Sequence, residues 1–130
     1  MTEVAWPQTV WIVEDVAEMG ELMKLVFEGR SGEVRLFSSG REARERLLRD
    51  RPDLLLLDEV LPGEASGDTL AEFAQAGVPI VLMTGMADRQ APVPSEALGR
   101  LAKPHWKNLE PAKLALTEMF KRLTQPGAVR

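Results

Sequence analysis

The feature that most constrains the fold is a repeated pattern in which a short apolar run ends abruptly in a polar residue. Apolar runs without alternation are typical of strands buried on both faces, and such strands usually pair in parallel. The runs and the polar residues after them are residues 10–13 with Glu14 and Asp15, residues 54–57 with Asp58, residues 79–83 with Thr84, and the shorter run 101–102 with Lys103. Because the carboxyl ends of parallel strands meet at one edge of a sheet, we expect these polar side chains to converge.

The segments between these runs predict helices and one further strand. Leu22, Met23 and Val26 recur at helical spacing, whereas Val34 and Leu36 alternate with charged residues, as in a strand covered on one face. Strand and helix therefore alternate five times. This order predicts a single α/β domain with a five-stranded parallel sheet and helices on both faces.

Two local signals refine the helices. Ser39 followed three residues later by Glu42 is the signature of a capping box and predicts the start of the second helix. Pro92 and Pro94 fall within residues 87–94, so a fourth helix in that segment is expected to be short or irregular.

Composition narrows the possible chemistry. With 130 residues, of which 45% are hydrophobic, the chain suits one domain over residues 9–125, with a leader over 1–8 and a short tail over 126–130. The absence of Cys and the single His exclude disulfides, thiolate chemistry and His-rich zinc sites.

A net charge of −4 argues against nucleic acid as a direct partner, and no apolar run approaches the roughly 20 residues that span a bilayer. We therefore predict a cytoplasmic domain.

The polar residues at the strand ends suggest a particular chemistry. The carboxylates of Glu14, Asp15 and Asp58 would repel one another unless a cation neutralised them. Oxygen ligands without His or Cys suit a hard cation, and Mg²⁺ takes one or two carboxylates together with phosphate and water oxygens. A hydroxyl from Thr84 and the ammonium of Lys103 would bind the remaining oxygens of a phosphoryl group. The implied chemistry is phosphoryl transfer with a carboxylate as the nucleophile.

In this order, and each at a strand end, Glu14-Asp15, residues 57–63, Thr84-Gly85 and Lys103-Pro104 resemble the motifs of a two-component response-regulator receiver domain. The resemblance covers roughly residues 8–125. It implies a flavodoxin-like, doubly wound sheet with the strand order 2-1-3-4-5.

The resemblance also implies roles for the site residues. Asp58 would accept a phosphoryl group from a histidine kinase or a histidine phosphotransfer protein, and the chain would catalyse only this transfer and its own dephosphorylation. The implied ligands of Mg²⁺ are Asp15, Asp58 and the backbone carbonyl of Val60, with Glu14 acting through water. Thr84, after moving inward, and Lys103 would bind phosphoryl oxygens. The Lys103-Pro104 peptide is often cis in this family.

Three features depart from the family pattern and indicate an atypical output face. The loop after Asp58 contains an apparent extra residue at 63–66, and the fourth helix is shortened by its prolines. Arg100 occupies the position, three residues before Lys103, where the family usually has an aromatic switch residue beside the moving threonine. Because an arginine cannot be buried in an apolar slot without a partner, we expect Arg100 at the surface.

The sequence leaves several alternatives open. The chain could be a stand-alone receiver, acting on a downstream protein target or as a possible homodimer, or it could be a fragment of a longer protein. A pseudo-receiver that binds proteins without being phosphorylated is an alternative from another class. A phosphatase of the haloacid-dehalogenase type is a third, although it needs an acid at the position of Val60 and an acidic pair after the lysine.

Overall fold

Five parallel strands form one sheet in the order β2-β1-β3-β4-β5 across the part of the chain that the structure describes. The structure is a computed structural model, and it describes residues 4–85 and 91–124. The elements in these residues are β1 (Thr9–Val13), α1 (Ala17–Val26), β2 (Glu33–Phe37), α2 (Gly40–Leu47), β3 (Leu54–Asp58), α3 (Ser66–Gln75), β4 (Ile80–Thr84), β5 (Gly99–Ala102) and α4 (Glu110–Thr124). The predicted strand order and the predicted doubly wound fold are confirmed.

The strand order reverses between β1 and β3. The chain leaves β1 for β2 on one side and then returns to place β3 on the other side, with Ile12 level with both Leu36 and Leu56. Ligands of open parallel sheets bind at such a reversal, outside the carboxyl ends of the strands. The fold therefore places its candidate site next to the residues that follow β1 and β3.

The uninterrupted apolar runs serve two cores, one on each face of the sheet. Side chains alternate between the faces along a strand, so Ile12 and Leu56 join one cluster while Trp11 and Leu57 join the other. The first cluster includes side chains of α1 and α4, and the second includes side chains of α2 and α3. All four of these strand residues are at most 1% exposed, which explains why neither β1 nor β3 shows alternation in the sequence.

The predicted start of α2 is confirmed, with one difference from the capping box. The Ser39 Oγ accepts a hydrogen bond from the Glu42 N–H at 3.1 Å, as the motif requires. The Glu42 side chain, however, accepts from the N–H and the hydroxyl of Ser38, at 3.1 Å and 3.0 Å. The helix is thus capped, but the reciprocal bond reaches one residue further back.

The segment between β4 and β5 contains no helix in the residues that the structure describes there. Residues 91–98 form bends and turns that lead directly into β5. This agrees with the expected effect of Pro92 and Pro94. The rest of the predicted irregular segment, residues 87–90, lies outside the described residues.

The chain before β1 packs against the first core. The Trp6 ring makes edge contacts with Phe27 at 5.4 Å and with Phe120 at 5.2 Å between ring centroids. The guanidinium of Arg30 lies 4.9 Å from the centre of the same ring. Val4 packs on the cluster as well, so the described part of the predicted leader is continuous with the core. Over the described ranges, every helix falls short of the length and apolar character that crossing a membrane requires.

Candidate functional site

The candidate site lies at the carboxyl edge of the sheet, beside the reversal of strand order. Asp58 is the last residue of β3 and Glu14 directly follows β1, while Lys103 directly follows β5. Their side chains meet although they are distant in the sequence, because parallel pairing aligns the ends of all the strands.

Three carboxylates form a cluster at this edge. Glu14, Asp15 and Asp58 each offer one oxygen atom, and the three atoms lie within 4.8 Å of one another. Glu14 is 5% exposed and Asp58 is 3% exposed, whereas Asp15 is open to solvent. The cluster therefore has two fixed, buried carboxylates and one that faces water.

Lys103 links the two buried carboxylates. Its Nζ donates a hydrogen bond to Asp58 Oδ2 at 2.9 Å and lies 2.8 Å from Glu14 Oε1 in an ion pair. One ammonium group thus faces two buried anions, and a third carboxylate lies beside them. The site retains excess negative charge that a cation can neutralise.

Backbone hydrogen bonds orient both buried carboxylates. Asp58 Oδ1 accepts from the N–H of Val60 at 3.0 Å, and Glu14 Oε2 accepts from the N–H of Val16 at 3.1 Å. Each acid is therefore held by the turn that follows its own strand, which leaves its second oxygen to face Lys103.

The surroundings shift the proton affinity of two groups. Burial raises the pKa of the Glu14 carboxyl above its ordinary value, and the charge of Asp58 adds to this, while Lys103 and the Val16 N–H act in the opposite direction. Burial alone would lower the pKa of Lys103, but its contacts with Glu14 and Asp58 outweigh burial and raise it. Lys103 accordingly remains charged at neutral pH.

The donor set fits a hard divalent cation. Glu14 Oε1 is buried without a hydrogen bond of good geometry, although Lys103 is close to it. Carboxylate oxygens on three side chains, with one side open to water, match the preference of Mg²⁺ for oxygen ligands and retained waters. The oxygen atoms of Glu14, Asp15 and Asp58 are close enough to one another to hold one cation, directly or through water.

Thr84 and Arg100 lie on the neighbouring part of the same edge. Together with Val93 and Ala102 they line a cavity of about 200 Å³. Thr84 ends β4, level with Ala102 in β5, and is partly exposed. The Lys103-Pro104 peptide, which is often cis in the family that the sequence resembles, is trans here.

The expectation that Arg100 lies at the surface was wrong. Its side chain is only 10% exposed, because it forms a two-pronged ion pair with the Glu59 carboxylate: Nε lies 2.7 Å from Oε1 and Nη2 lies 3.0 Å from Oε2. Nη1 also donates to the carbonyl oxygen of Ala91 at 2.7 Å. The burial of an arginine was thus possible because a partner is present.

Sequence reasoning missed Glu59, Glu64 in the loop after β3, and Ser66 at the start of α3. The Ser66 hydroxyl donates to the carbonyl oxygens of Asp58 and Glu59, at 2.8 Å and 3.1 Å. Glu64, in the loop with the apparent extra residue, accepts from the Gly40 N–H at 3.1 Å and so helps to cap α2. An acid next to Asp58 was visible in the sequence, but a partner 41 residues away gives no local signal.

Comparisons with known proteins agree with this geometry. The family model of the response regulator receiver domain matches residues 10–110. The DNA-binding response regulator MtrA of Mycobacterium tuberculosis is 34% identical over 82 residues, and the transcriptional regulatory protein RstA of Escherichia coli is 39% identical over 80 residues. These matches cover 62% and 60% of this chain but only 36% and 33% of the relatives, so the chain spans about a third of their length.

Solved structures show the same fold. A protein described as a response regulator from Chloroflexus aurantiacus superposes with a TM-score of 0.73 at 27% identity, covering 89% of this chain and 99% of the other. The response regulator TrrA of Thermotoga maritima, solved in complex with Mg²⁺ and BeF, has a TM-score of 0.70 at 22% identity and covers 86% of this chain and 98% of its own. The chain belongs to the response-regulator receiver family of two-component signalling.

Proposed function

We propose that the chain is a phosphorylation-dependent switch of a two-component or phosphorelay system, in which Asp58 accepts a phosphoryl group. The observation that carries this proposal is the contact of a buried aspartate at a strand end with both a lysine and an acidic cluster. This combination supplies a nucleophile, a fixed positive charge and ligands for a hard cation.

The proposed reaction transfers the phosphoryl group from a phosphohistidine of a histidine kinase or of a histidine phosphotransfer protein. A carboxylate oxygen of Asp58 attacks phosphorus, the phosphorus–nitrogen bond breaks with its electron pair going to the imidazole, and an acyl phosphate forms on Asp58. When bound at the carboxylates, Mg²⁺ supplies positive charge that offsets the charge of the phosphoryl oxygens.

The residues of the chain position and stabilise this product. Lys103, already 2.9 Å from Asp58 Oδ2, would pair with an oxygen of the transferred group, and the Thr84 hydroxyl would donate to another. The Val60 N–H holds Asp58 Oδ1 in orientation, and the adjoining Val60 carbonyl is the proposed backbone ligand of the cation. Beyond this transfer and the hydrolysis of the acyl phosphate by water, we propose no enzymatic activity.

The proposed partners are proteins. The donor is a histidine kinase or a histidine phosphotransfer protein, and the cytoplasm is where such donors act. The receiver would pass the signal to a downstream protein target or to a second copy of itself. MtrA is named as a DNA-binding protein, but the matched segment is 36% of its length, and we propose no direct contact of the described residues with nucleic acid.

One observation favours a second candidate function. Arg100 stands where the family usually has its aromatic switch residue, and it is locked in an ion pair with Glu59. A pseudo-receiver that signals by protein binding alone would be compatible with this change. A haloacid-dehalogenase-type phosphatase would need an acid two residues after Asp58, and Val60 cannot act as one.

Intact-protein mass spectrometry after incubation with Mg²⁺ and acetyl phosphate separates these functions. The switch requires a gain of one phosphoryl mass that is lost with EDTA and in Asp58→Asn. Asp68→Asn, which changes an exposed aspartate in the first turn of α3, serves as the matched control and should behave like the unchanged chain. A folded chain that gains no mass would support the pseudo-receiver instead.

A further inference from the structure

Arg100 connects three parts of the molecule. It belongs to β5, its guanidinium pairs with Glu59 directly after β3, and it donates to the carbonyl oxygen of Ala91 in the segment before β5. A longer contact of 3.4 Å reaches the carbonyl oxygen of Pro92. The end of the strand that carries Asp58 is therefore bonded, through the Arg100 side chain, to Ala91 and Pro92 at the start of residues 91–98.

Glu59 is placed so that a change at Asp58 reaches it directly. It lies between Asp58 and Val60, and its N–H donates to the Met83 carbonyl in β4 at 3.0 Å. Its carbonyl oxygen accepts from the Ser66 hydroxyl, which also bonds the carbonyl of Asp58. The main chain of Glu59 is thus held on both sides, and its side chain is the part that can respond.

The geometry of the ion pair between Arg100 and Glu59 favours a fully formed or a fully exchanged pair over a partly separated one. Its two parallel N–H···O bonds form a planar fork, and the Arg100 side chain is only 10% exposed. A buried guanidinium without its carboxylate would be strongly unfavourable, so a partial separation is not a stable intermediate. Coupling between sites needs an element of this kind, with two states that both sites can bias.

A phosphoryl group on Asp58 would bias the pair. It replaces the single negative charge of the Asp58 carboxylate with up to two on the phosphoryl oxygens, beside Glu59 and on the edge where Arg100 and Thr84 share a cavity. The added charge disfavours the Glu59 carboxylate and attracts the guanidinium. Any shift of Arg100 also changes the hydrogen bond that it donates to Ala91.

We infer that Arg100, acting through Glu59, is the positioning residue that couples the state of Asp58 to residues 91–98, in place of an aromatic switch residue. This inference rests on the proposed phosphorylation of Asp58. It specifies how phosphorylation changes the contacts of residues 91–98. The ion pair is rearranged when Asp58 is phosphorylated, and the hydrogen bond from Arg100 to Ala91 changes with it. By linkage, a partner that prefers one arrangement of residues 91–98 shifts the phosphorylation equilibrium of Asp58. The factor equals that by which phosphorylation changes the affinity for the partner.

Hydrogen exchange followed by mass spectrometry tests the inference on the whole chain. Exchange in peptides covering residues 91–98 is compared before and after phosphorylation with Mg²⁺ and acetyl phosphate, and the mass gain is recorded in the same samples. In the unchanged chain we expect phosphorylation to alter the exchange rate by about fivefold or more. The expected change is lost in Glu59→Gln and in Arg100→Met, and the double variant is no more affected than either single variant.

The control is Arg35→Gln, which breaks an exposed ion pair with Glu33 on the opposite edge of the sheet and should leave the change intact. Glu59→Gln keeps the shape of the side chain and one acceptor oxygen for Arg100, so it is the less disruptive of the two changes. Phosphorylated variants that show the same exchange change as the unchanged chain would overturn this inference alone. An unchanged chain that gains no phosphoryl mass would overturn the proposed function and the inference with it.

Discussion

The charge of Glu14 depends on its surroundings. It is almost completely buried beside Asp58, and its carboxylate is tolerated because Lys103 lies 2.8 Å away. Burial raises its pKa, so the folded chain holds a proton on Glu14 more tightly than the unfolded chain does. This residue should therefore make stability depend on pH in a predictable direction.

We predict that the unchanged chain becomes less stable relative to Glu14→Gln as the pH rises from the ordinary value of 4.5 through the raised pKa. Within that window the folded state binds more protons than the unfolded state, so the free energy of unfolding falls as the pH rises, by at most about 1.4 kcal/mol per pH unit. Urea unfolding of both proteins without Mg²⁺, between about pH 4 and pH 8, measures the difference. A difference that stays constant across this range would contradict the prediction.

Lys103 is the counterpart of these acids. We predict that Lys103→Met lowers the free energy of unfolding by about 2–3 kcal/mol without Mg²⁺, because it leaves two buried carboxylates facing each other. Added Mg²⁺ should then stabilise the variant more than it stabilises the unchanged chain. Chemical unfolding with and without Mg²⁺ checks both statements.

The matched control for this prediction is Lys24→Met, at an exposed lysine in the last turn of α1. Its stability should change by less than about 0.5 kcal/mol, with the same response to Mg²⁺ as the unchanged chain. If the two lysine variants behaved alike, Lys103 would have no special role in neutralising the cluster.

At the scale of elements, α2 and the loop after β3 depend on each other. Gly40 begins α2 in contact with Thr69 of α3 and Glu64 of the loop, and Glu64 accepts from its N–H. A side chain at position 40 would collide with both neighbours. The glycine is required by this close approach and not by its backbone angles.

We predict opposite effects of two Gly→Ala changes in the first turns of neighbouring helices. Gly40→Ala should destabilise the chain by about 1–2 kcal/mol because of the collision, despite the better helix propensity of alanine. Gly67→Ala in α3, where no atom would meet the added carbon, should stabilise it by about 0.5 kcal/mol. Thermal unfolding of the two variants gives the signs directly, and two equal signs would refute the argument.

The elements differ in how far the sequence could predict them. β1 and β3 could be predicted because each is buried on both faces, which leaves an unbroken apolar run before Glu14 and Asp58. That Glu14, Asp58 and Lys103 lie together could be predicted because parallel pairing brings strand ends together whatever their distance in the sequence. The pair Glu59–Arg100 could not, because it depends on the direction of two side chains from distant strands, and no periodic pattern records that.

At the scale of the whole molecule, the chain before β1 extends the first core. Trp6 lies between Phe27, which follows α1, and Phe120 of α4, and so connects two helices that pack on the same face of the sheet. The sequence indicated only a leader here, because a single Trp-Pro pair has no periodicity from which burial could be inferred.

Trp6 and Trp106 provide a matched pair for testing this contribution. We predict that Trp6→Ala lowers the free energy of unfolding by about 2 kcal/mol, because it removes a half-buried ring with two aromatic contacts. Trp106 is 70% exposed, and Trp106→Ala should change stability by less than about 0.5 kcal/mol. Equal losses in urea unfolding would show that Trp6 adds nothing to the core.

The order of the strands along the sequence also determines when the site is completed during synthesis. Glu14, Asp15 and Asp58 leave the ribosome before Lys103, which follows β5, the last strand of the described residues. Until β5 pairs with β4, Lys103 does not lie beside the acidic cluster and Arg100 does not reach Glu59. Translation therefore delivers the negative charges of the site first and their counterions last, so the proposed transfer to Asp58 requires that β5 has first joined the sheet.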